Sequence, residues 1–301
     1  MTKYKKLRNP KFTASNIILN IVFILIAFVC VFPVLLTIGI SVADESSIIA
    51  HGYQLIPEQF SFSSYEYIWQ AKDTVLRAYG VTIFVTVVGT VMSTLVLAFY
   101  AYAISRKDFR YRKAFTFYMF FTMLFGGGVV AWYMVITTIL HLKNTIWVMI
   151  LPHVMNGWNI IVLRSFFTSA IPDEMIEAAK LDGAGEFKIF FSLVMPLSLP
   201  GLATIALFQT LGYWNDWTLP LYFITKPELW NLQFLLQNMI ANIQKLTENA
   251  GGMYSVAQGA DVPVEGARMA LCLIAAGPII IVYPFFQKYF IQGLTVGSIK
   301  G

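Results

Sequence analysis

The chain has 301 residues, of which 57% are hydrophobic and only 12% charged, with a formal net charge of +5. A soluble domain carries about 25% charged residues, so this chain lacks the polar side chains that a water-facing surface needs. Disorder is excluded by the same figures and a disulfide scaffold by the cysteine count of 2, which leaves an all-α polytopic membrane protein.

Uncharged stretches follow one another at 12–43, 78–105, 114–140, 144–163 (with His153), 189–215 and 269–287. About 20 apolar residues carry a helix across the roughly 30 Å hydrocarbon core, so each stretch predicts one span, six in all. They do not alternate in polarity as barrel strands would, and lipid offers no partner for open backbone groups. Residues 17–43 read as an anchor: Ser41-Val42-Ala43 has the look of a cleavage site, yet the apolar run exceeds the about 7–15 residues of a signal core. Cys30 and Cys272 fall inside spans and read as packing residues. In the third span Gly126-Gly127-Gly128 reads as a helix break or a close-packing point. The stretch 229–244 carries Asn231, Gln233, Gln237, Asn238, Asn242 and Gln244, too many amides to bury in lipid, and reads as an amphipathic helix outside the membrane.

Basic residues orient these spans. Lys3, Lys5, Lys6, Arg8 and Lys11, the group from Arg106 to Lys113, then Arg164, Lys180, Lys188, Lys288 and Lys300 place 15 of the 21 on one side. Both termini are therefore expected in the cytoplasm, with a basic amino terminus at 1–16 and a tail at 289–301. The positive charge is this topological bias, and no nucleic-acid motif accompanies it. His51, His141 and His153 lack metal-ligand spacing, and no GxSxG, Walker A or GxGxxG pattern occurs. The sequence predicts no catalytic residue, no metal and no cofactor on this chain.

The informative segment is the cytoplasmic 164–200. Pro172 suits the first turn of a helix, with Asp173 and Glu174 at its positive end and a stop at Gly183. Gly185 to Met195 predicts a second short helix, closed by Pro196 and Pro200. By itself this is an interfacial loop tying two spans together. Its letters, however, read Glu177-Ala178-Ala179, then Gly183 three residues on, then Leu193-Val194-Met195-Pro196 nine further on. That pattern resembles the EAA motif of the permease subunits of binding-protein-dependent type I ABC importers; Leu193 and Met195 replace the usual Ile and Leu. The carboxy-terminal Leu294-Thr295-Val296-Gly297-Ser298-Ile299-Lys300-Gly301 is similar to the tail of carbohydrate permeases of the maltose type, and Tyr283-Pro284-Phe285-Phe286-Gln287-Lys288-Tyr289-Phe290 to those of Gram-positive oligosaccharide and aldouronate importers.

The resemblance implies a type I importer permease fold, with a core at 75–288, in a bacterial cytoplasmic membrane. It implies coupling to two ATP-binding cassette subunits, which bind ATP and Mg, through Glu177, Ala178, Ala179, Asp182, Gly183, Gly185 and Pro196. A further tail contact falls at Leu294, Thr295, Gly297 and Lys300. It also implies a second homologous permease, a solute-binding protein with 226–267 as docking surface, and an oligosaccharide substrate. For the substrate path the residues themselves offer Trp214, Asn215, Asp216 and Trp217, with aromatic faces for sugar rings and polar groups for hydroxyls, and Asn156 and Asn159, which would share one helix face beside His153. An interfacial aromatic belt and interhelical amide bonding are the alternatives. An amino acid, polyamine or anion as solute remains open. A stand-alone secondary transporter would show an inverted repeat and a mid-membrane carboxylate, and the sequence shows neither.

Overall fold

A computed structural model describes residues 14–249 and 263–297. In chain order the helices are α1 Ala14–Ser41, α2 Glu45–His51, α3 Ser63–Gln70, α4 Lys72–Ser105, α5 Arg112–Leu124, α6 Gly128–Met134, α7 Gly157–Ala170, α8 Asp173–Leu181, α9 Glu186–Ile189, α10 Met195–Leu197, α11 Leu199–Asn215, α12 Thr218–Phe223, α13 Leu232–Asn249 and α14 Val264–Gly297. Single π turns extend α6 over Val135–Ile139 and join α9 to α10 over Phe190–Val194, and 3₁₀ turns fill Ile146–Met149 and Leu151–His153. Among the described residues the regular elements are all helical, with one isolated antiparallel bridge, Ala43 to Phe60.

Among the described residues three helices are long and apolar enough to cross a membrane, at Asn16–Ser41, Lys72–Ser105 and Val264–Val282. The count reaches six when each of three bent pairs is taken as one span. The uncharged stretches mark these pairs as spans without giving their angles. Arg112–Leu124 and Gly128–Ile139 meet at 116°, breaking at the glycine run; Glu186–Leu197 and Leu199–Asn215 meet at 83° around Ser198, between Pro196 and Pro200. Ile146–His153 and Gly157–Ala170 meet at 50°, and α7 runs on past Arg164 to Ala170. A charged residue marks where a side chain reaches water, not where backbone hydrogen bonding stops. The amphipathic segment is helical, as α13, and buries Leu232, Phe234, Leu235 and Leu236.

The chain forms two compact units. One comprises residues up to Gln70 together with Thr247–Leu273. In it α1 leaves its apolar side chains from Ile17 to Val34 exposed, as a helix solvated by lipid would. Cys30 and Cys272 are free and exposed, so neither is the packing residue that their positions suggested. Ile40, Ala43 and Ile48 form a small core with Leu36 and Met269. The Glu45 carboxylate accepts the backbone N–H groups of Glu265 (3.0 Å) and Gly266 (3.2 Å), which serves the open donors at the start of α14.

The other unit holds Ala71–Leu246 and the remainder of α14 from Ile274. Its centre is α4, a 34-residue helix against which α5, α7 and α11 pack. Between helices in lipid, close backbone approach replaces the hydrophobic effect as the packing force. Gly89 of α4 supplies it, because a β-carbon there would lie 2.6 Å from the Tyr213 ring of α11. That ring is 1% exposed; its hydroxyl donates to the Ile150 carbonyl (3.0 Å) and accepts from Ser93 (2.7 Å). Toward the other end of α4 a second cluster gathers Leu97, Ala101, Ile160, Phe167, Ile171, Ile176, Ile189 and Phe190.

Candidate functional site

The segment bearing the motif is a short helix held from one side and open on the other. Pro172 stands just before α8 rather than inside its first turn, and Asp173 is the first helical residue. Ile176 is the buried residue of α8 and joins the cluster beneath it, with Ala179 and Ala184 packed at the margin. Where water is the alternative, burying one such isoleucine contributes about 1.5–3 kcal/mol. The helix ends in a Schellman arrangement: the Gly183 N–H donates to the Lys180 carbonyl and the Ala184 N–H to that of Ala179, both at 3.0 Å. Gly183 holds φ +79° with no atom within 4 Å of where a β-carbon would stand. Its backbone, not crowding, calls for glycine.

The opposite face is free. Glu177, Ala178, Asp182, Gly185 and Pro196 are exposed. Beside them stand three large apolar side chains that the sequence reading did not single out: Met175 (40% exposed), Leu181 (89%) and Phe187 (74%). A soluble surface seldom presents so many large apolar groups around so few residues unless something covers them. Their signal in the sequence was weak, since apolar residues near predicted spans read as interfacial. Of the tail residues, Leu294, Thr295 and Gly297 fall in the last turns of α14, and Lys300 lies outside the described residues.

Behind α8 lies a set of ion pairs with the turn after α4. Lys107 Nζ is 2.8 Å and Arg106 Nη1 3.6 Å from the Asp173 carboxylate. Lys180 Nζ lies 2.5 Å from Asp108 and 2.8 Å from Glu186, and the Tyr102 hydroxyl donates to Glu186 (2.7 Å). Hydrogen bonds from lysine hold Asp108, Asp173 and Glu186 below the usual carboxylate range, and the reciprocal bonds raise Lys180 and Lys107. Depressed carboxylates contribute stability above their unfolded values of 3.8 and 4.5 and lose it as pH falls through the lower folded values; the raised lysines contribute below 10.5 and lose it above. The contribution of the set is therefore flat between about pH 5 and 9. The difference in thermal midpoint between the intact chain and Lys180→Ala in detergent should stay constant across that window and shrink below pH 4.

The predicted path residues do not converge on one point. Trp214 turns toward α14 and donates from Nε1 to the Ala275 carbonyl (3.1 Å). Asn215 is exposed and bonds back to the Leu211 carbonyl, and Trp217 is 42% exposed. Asp216 is shielded; one oxygen accepts the N–H groups of Thr218 (2.9 Å) and Leu219 (3.3 Å) at the start of α12, and the other lies 3.4 Å from His153 Nε2. Asn156 caps α7 by accepting from the Asn159 N–H. Asn159 donates to Gln209 (3.4 Å), which donates to the His153 carbonyl (3.1 Å). Asn159 thus makes the interhelical bond, while Asn156 is a cap. Gln209 carries no signal of its own beyond its spacing of four from Tyr213, which puts both on one stripe of α11.

Trp214 also lines a groove of about 420 Å³ between α4, α11 and α14, with Tyr79, Ile83, Thr86, Thr90 and Thr210 among the other walls. Apart from the threonines, of which Thr90 and Thr210 touch at 3.2 Å, it is apolar.

With this geometry in view, the profile of the family described as binding-protein-dependent transport system inner membrane component matches residues 95–296. The chain is 36% identical over 278 residues to the polygalacturonan/rhamnogalacturonan transport system permease protein YtcP of Bacillus subtilis, covering 92% of this chain and 95% of that one. It is 34% identical to protein LplC of the same organism over the full length of both. Among solved structures it resembles a chain of a bacterial ABC transporter involved in the import of the acidic polysaccharide alginate, with a TM-score of 0.79, 28% identity, and coverage of 94% of this chain and 99% of that chain.

Proposed function

The chain belongs to the family of binding-protein-dependent transport system inner membrane components, and from that membership we propose that it is one of two permease subunits of an ATP-driven oligosaccharide importer. The observation that carries the coupling is α8: exposed Glu177 and Ala178, with Ala179 half-buried beside them, closed by the left-handed Gly183 and flanked by uncovered apolar side chains. Small alanines let a partner surface approach, Glu177 offers a carboxylate to a cationic or N–H donor, and Met175, Leu181 and Phe187 would fill apolar sockets. ATP and Mg belong to that partner, and this chain carries no catalytic step. A solute-binding protein delivers sugar to the outer face, and the bundle alternates its access with its partner permease.

The oligosaccharide reading rests on the relatives and on the carboxy-terminal sequence, the membrane on the Gram-positive relatives. Of the four residues Trp214 to Trp217, Asn215 and Trp217 are the ones exposed to a solute and remain the proposed sugar-facing pair, while Trp214 and Asp216 are turned into the protein behind them. The test is uptake by vesicles holding this chain, its partner permease and the ATPases, supplied with the binding protein. The expected result is ATP-dependent accumulation of oligogalacturonides or arabino-oligosaccharides and none of glutamate, spermidine or sulfate. Accumulation of one of the last three, with both sugars excluded, would overturn the substrate class.

A further inference from the structure

We propose that the Arg106–Asp108 turn is a positioning device that grips α8 at both ends, so that α8 moves with α4 and not only with the spans next to it in the chain. This rests on the coupling reading of α8. A helix of nine residues with Ile176 as its buried residue has little packing of its own to fix its direction. What holds it are opposite charges at its two ends: Asp173 at the first residue, met by Arg106 and Lys107, and Lys180 in the last turn, met by Asp108. Asp173 and Lys180 are seven residues apart, about two turns or 10 Å along one face. The acid stands at the positive end of the helix dipole and the base at the negative end, so the pairs and the dipole act in the same sense.

The grip is anchored on the α4 side. The Arg106 side chain is 7% exposed, its Nε donates to Ser105 (3.0 Å), and its guanidinium lies 5.6 Å from the centre of the Tyr102 ring. Tyr102 in turn reaches Glu186 at the start of α9, which shares Lys180 with Asp108. Isolated exposed pairs contribute little, but here one buried arginine and six partners constrain each other, and each side chain is already ordered by the next. The residues assigned are Arg106, Lys107 and Asp108 on the turn, with Asp173 and Lys180 as their counterparts. None of them touches solute.

The experiment is a distance measurement by pulsed electron spin resonance in the assembled importer, before and after trapping with ATP and vanadate. Spin labels sit at Glu174→Cys on α8, exposed and outside the docking face, and Val87→Cys on α4, in a chain whose Cys30 and Cys272 are replaced by serine. The expected result is one narrow distance, the same in both states. In Asp173→Asn/Lys180→Gln, and separately in Lys107→Ala/Asp108→Ala, the distribution should broaden or shift by several ångströms while the ATPases still copurify. Lys180→Arg should keep it narrow. A distance that changes on trapping in the otherwise intact chain, or one that stays narrow and unchanged in both double variants, would overturn the grip. The coupling reading is judged separately, by whether Glu177→Lys releases the ATPases; that result leaves the α8–α4 distance to speak for the grip alone.

Discussion

Glu177→Lys is expected to abolish sugar uptake while the chain inserts and folds normally. Glu177 is exposed, so reversing its charge breaks no buried contact and should change the thermal midpoint of the isolated subunit little. Against an ATPase surface the same change replaces an acceptor by a cation where water has been excluded. Losing one partner of a buried charge pair costs about 2–5 kcal/mol, so association should weaken at least about thirtyfold. Gly183→Trp approaches the same face by another route. Its β-carbon meets nothing within 4 Å, so the indole projects outward into the space a partner would use. The backbone adds about 1–2 kcal/mol for a non-glycine residue at φ +79°. Gly183→Ala isolates that backbone contribution and should keep most transport. Copurification of the ATPases, uptake and thermal unfolding separate the three variants; full uptake by Glu177→Lys and Gly183→Trp would remove the coupling role from α8.

Gly89→Val carries the largest expected effect on stability. The ring of Tyr213 stands where the new side chain must go, and it cannot retreat, being buried and tied at its hydroxyl to both Ser93 and Ile150. Forcing α4 and α11 apart should cost about 2–3 kcal/mol, read as a drop in the thermal midpoint in detergent. Tyr213→Leu introduced with Gly89→Val makes room and should recover part of that drop, although Tyr213→Leu alone is itself destabilising. If the two losses simply added, the close approach would not be what Gly89 provides.

Much of this architecture could be read from letters alone, for a physical reason. In a chain with so few charges each one is costly to place in lipid, so the uncharged stretches fell where α1, α4 and α14 are helical. The motif around Glu177 was legible because capping is local: an acid-rich start, small residues and a glycine describe α8 within about ten residues. The bends were not. Ser198 turns the chain by 83° although the prolines around it permit several directions, and the choice depends on what packs there. Asp216 was noticed as an acid beside a span, but its pairing with His153 joins segments far apart in sequence. Asp108 is illegible for a different reason: it stands among five basic residues, and nothing local marks Lys180, 72 residues further on, as its partner.

The Tyr213 hydroxyl has a consequence beyond packing. By holding Ser93 of α4 and the Ile150 carbonyl from a ring on α11, it welds three stretches of chain at one point that water does not reach. Material stiffened in this way stores little of the work delivered to it. A push arriving at the Ser105 end of α4 would leave at the far end with less lost in between, as through a rod rather than a spring.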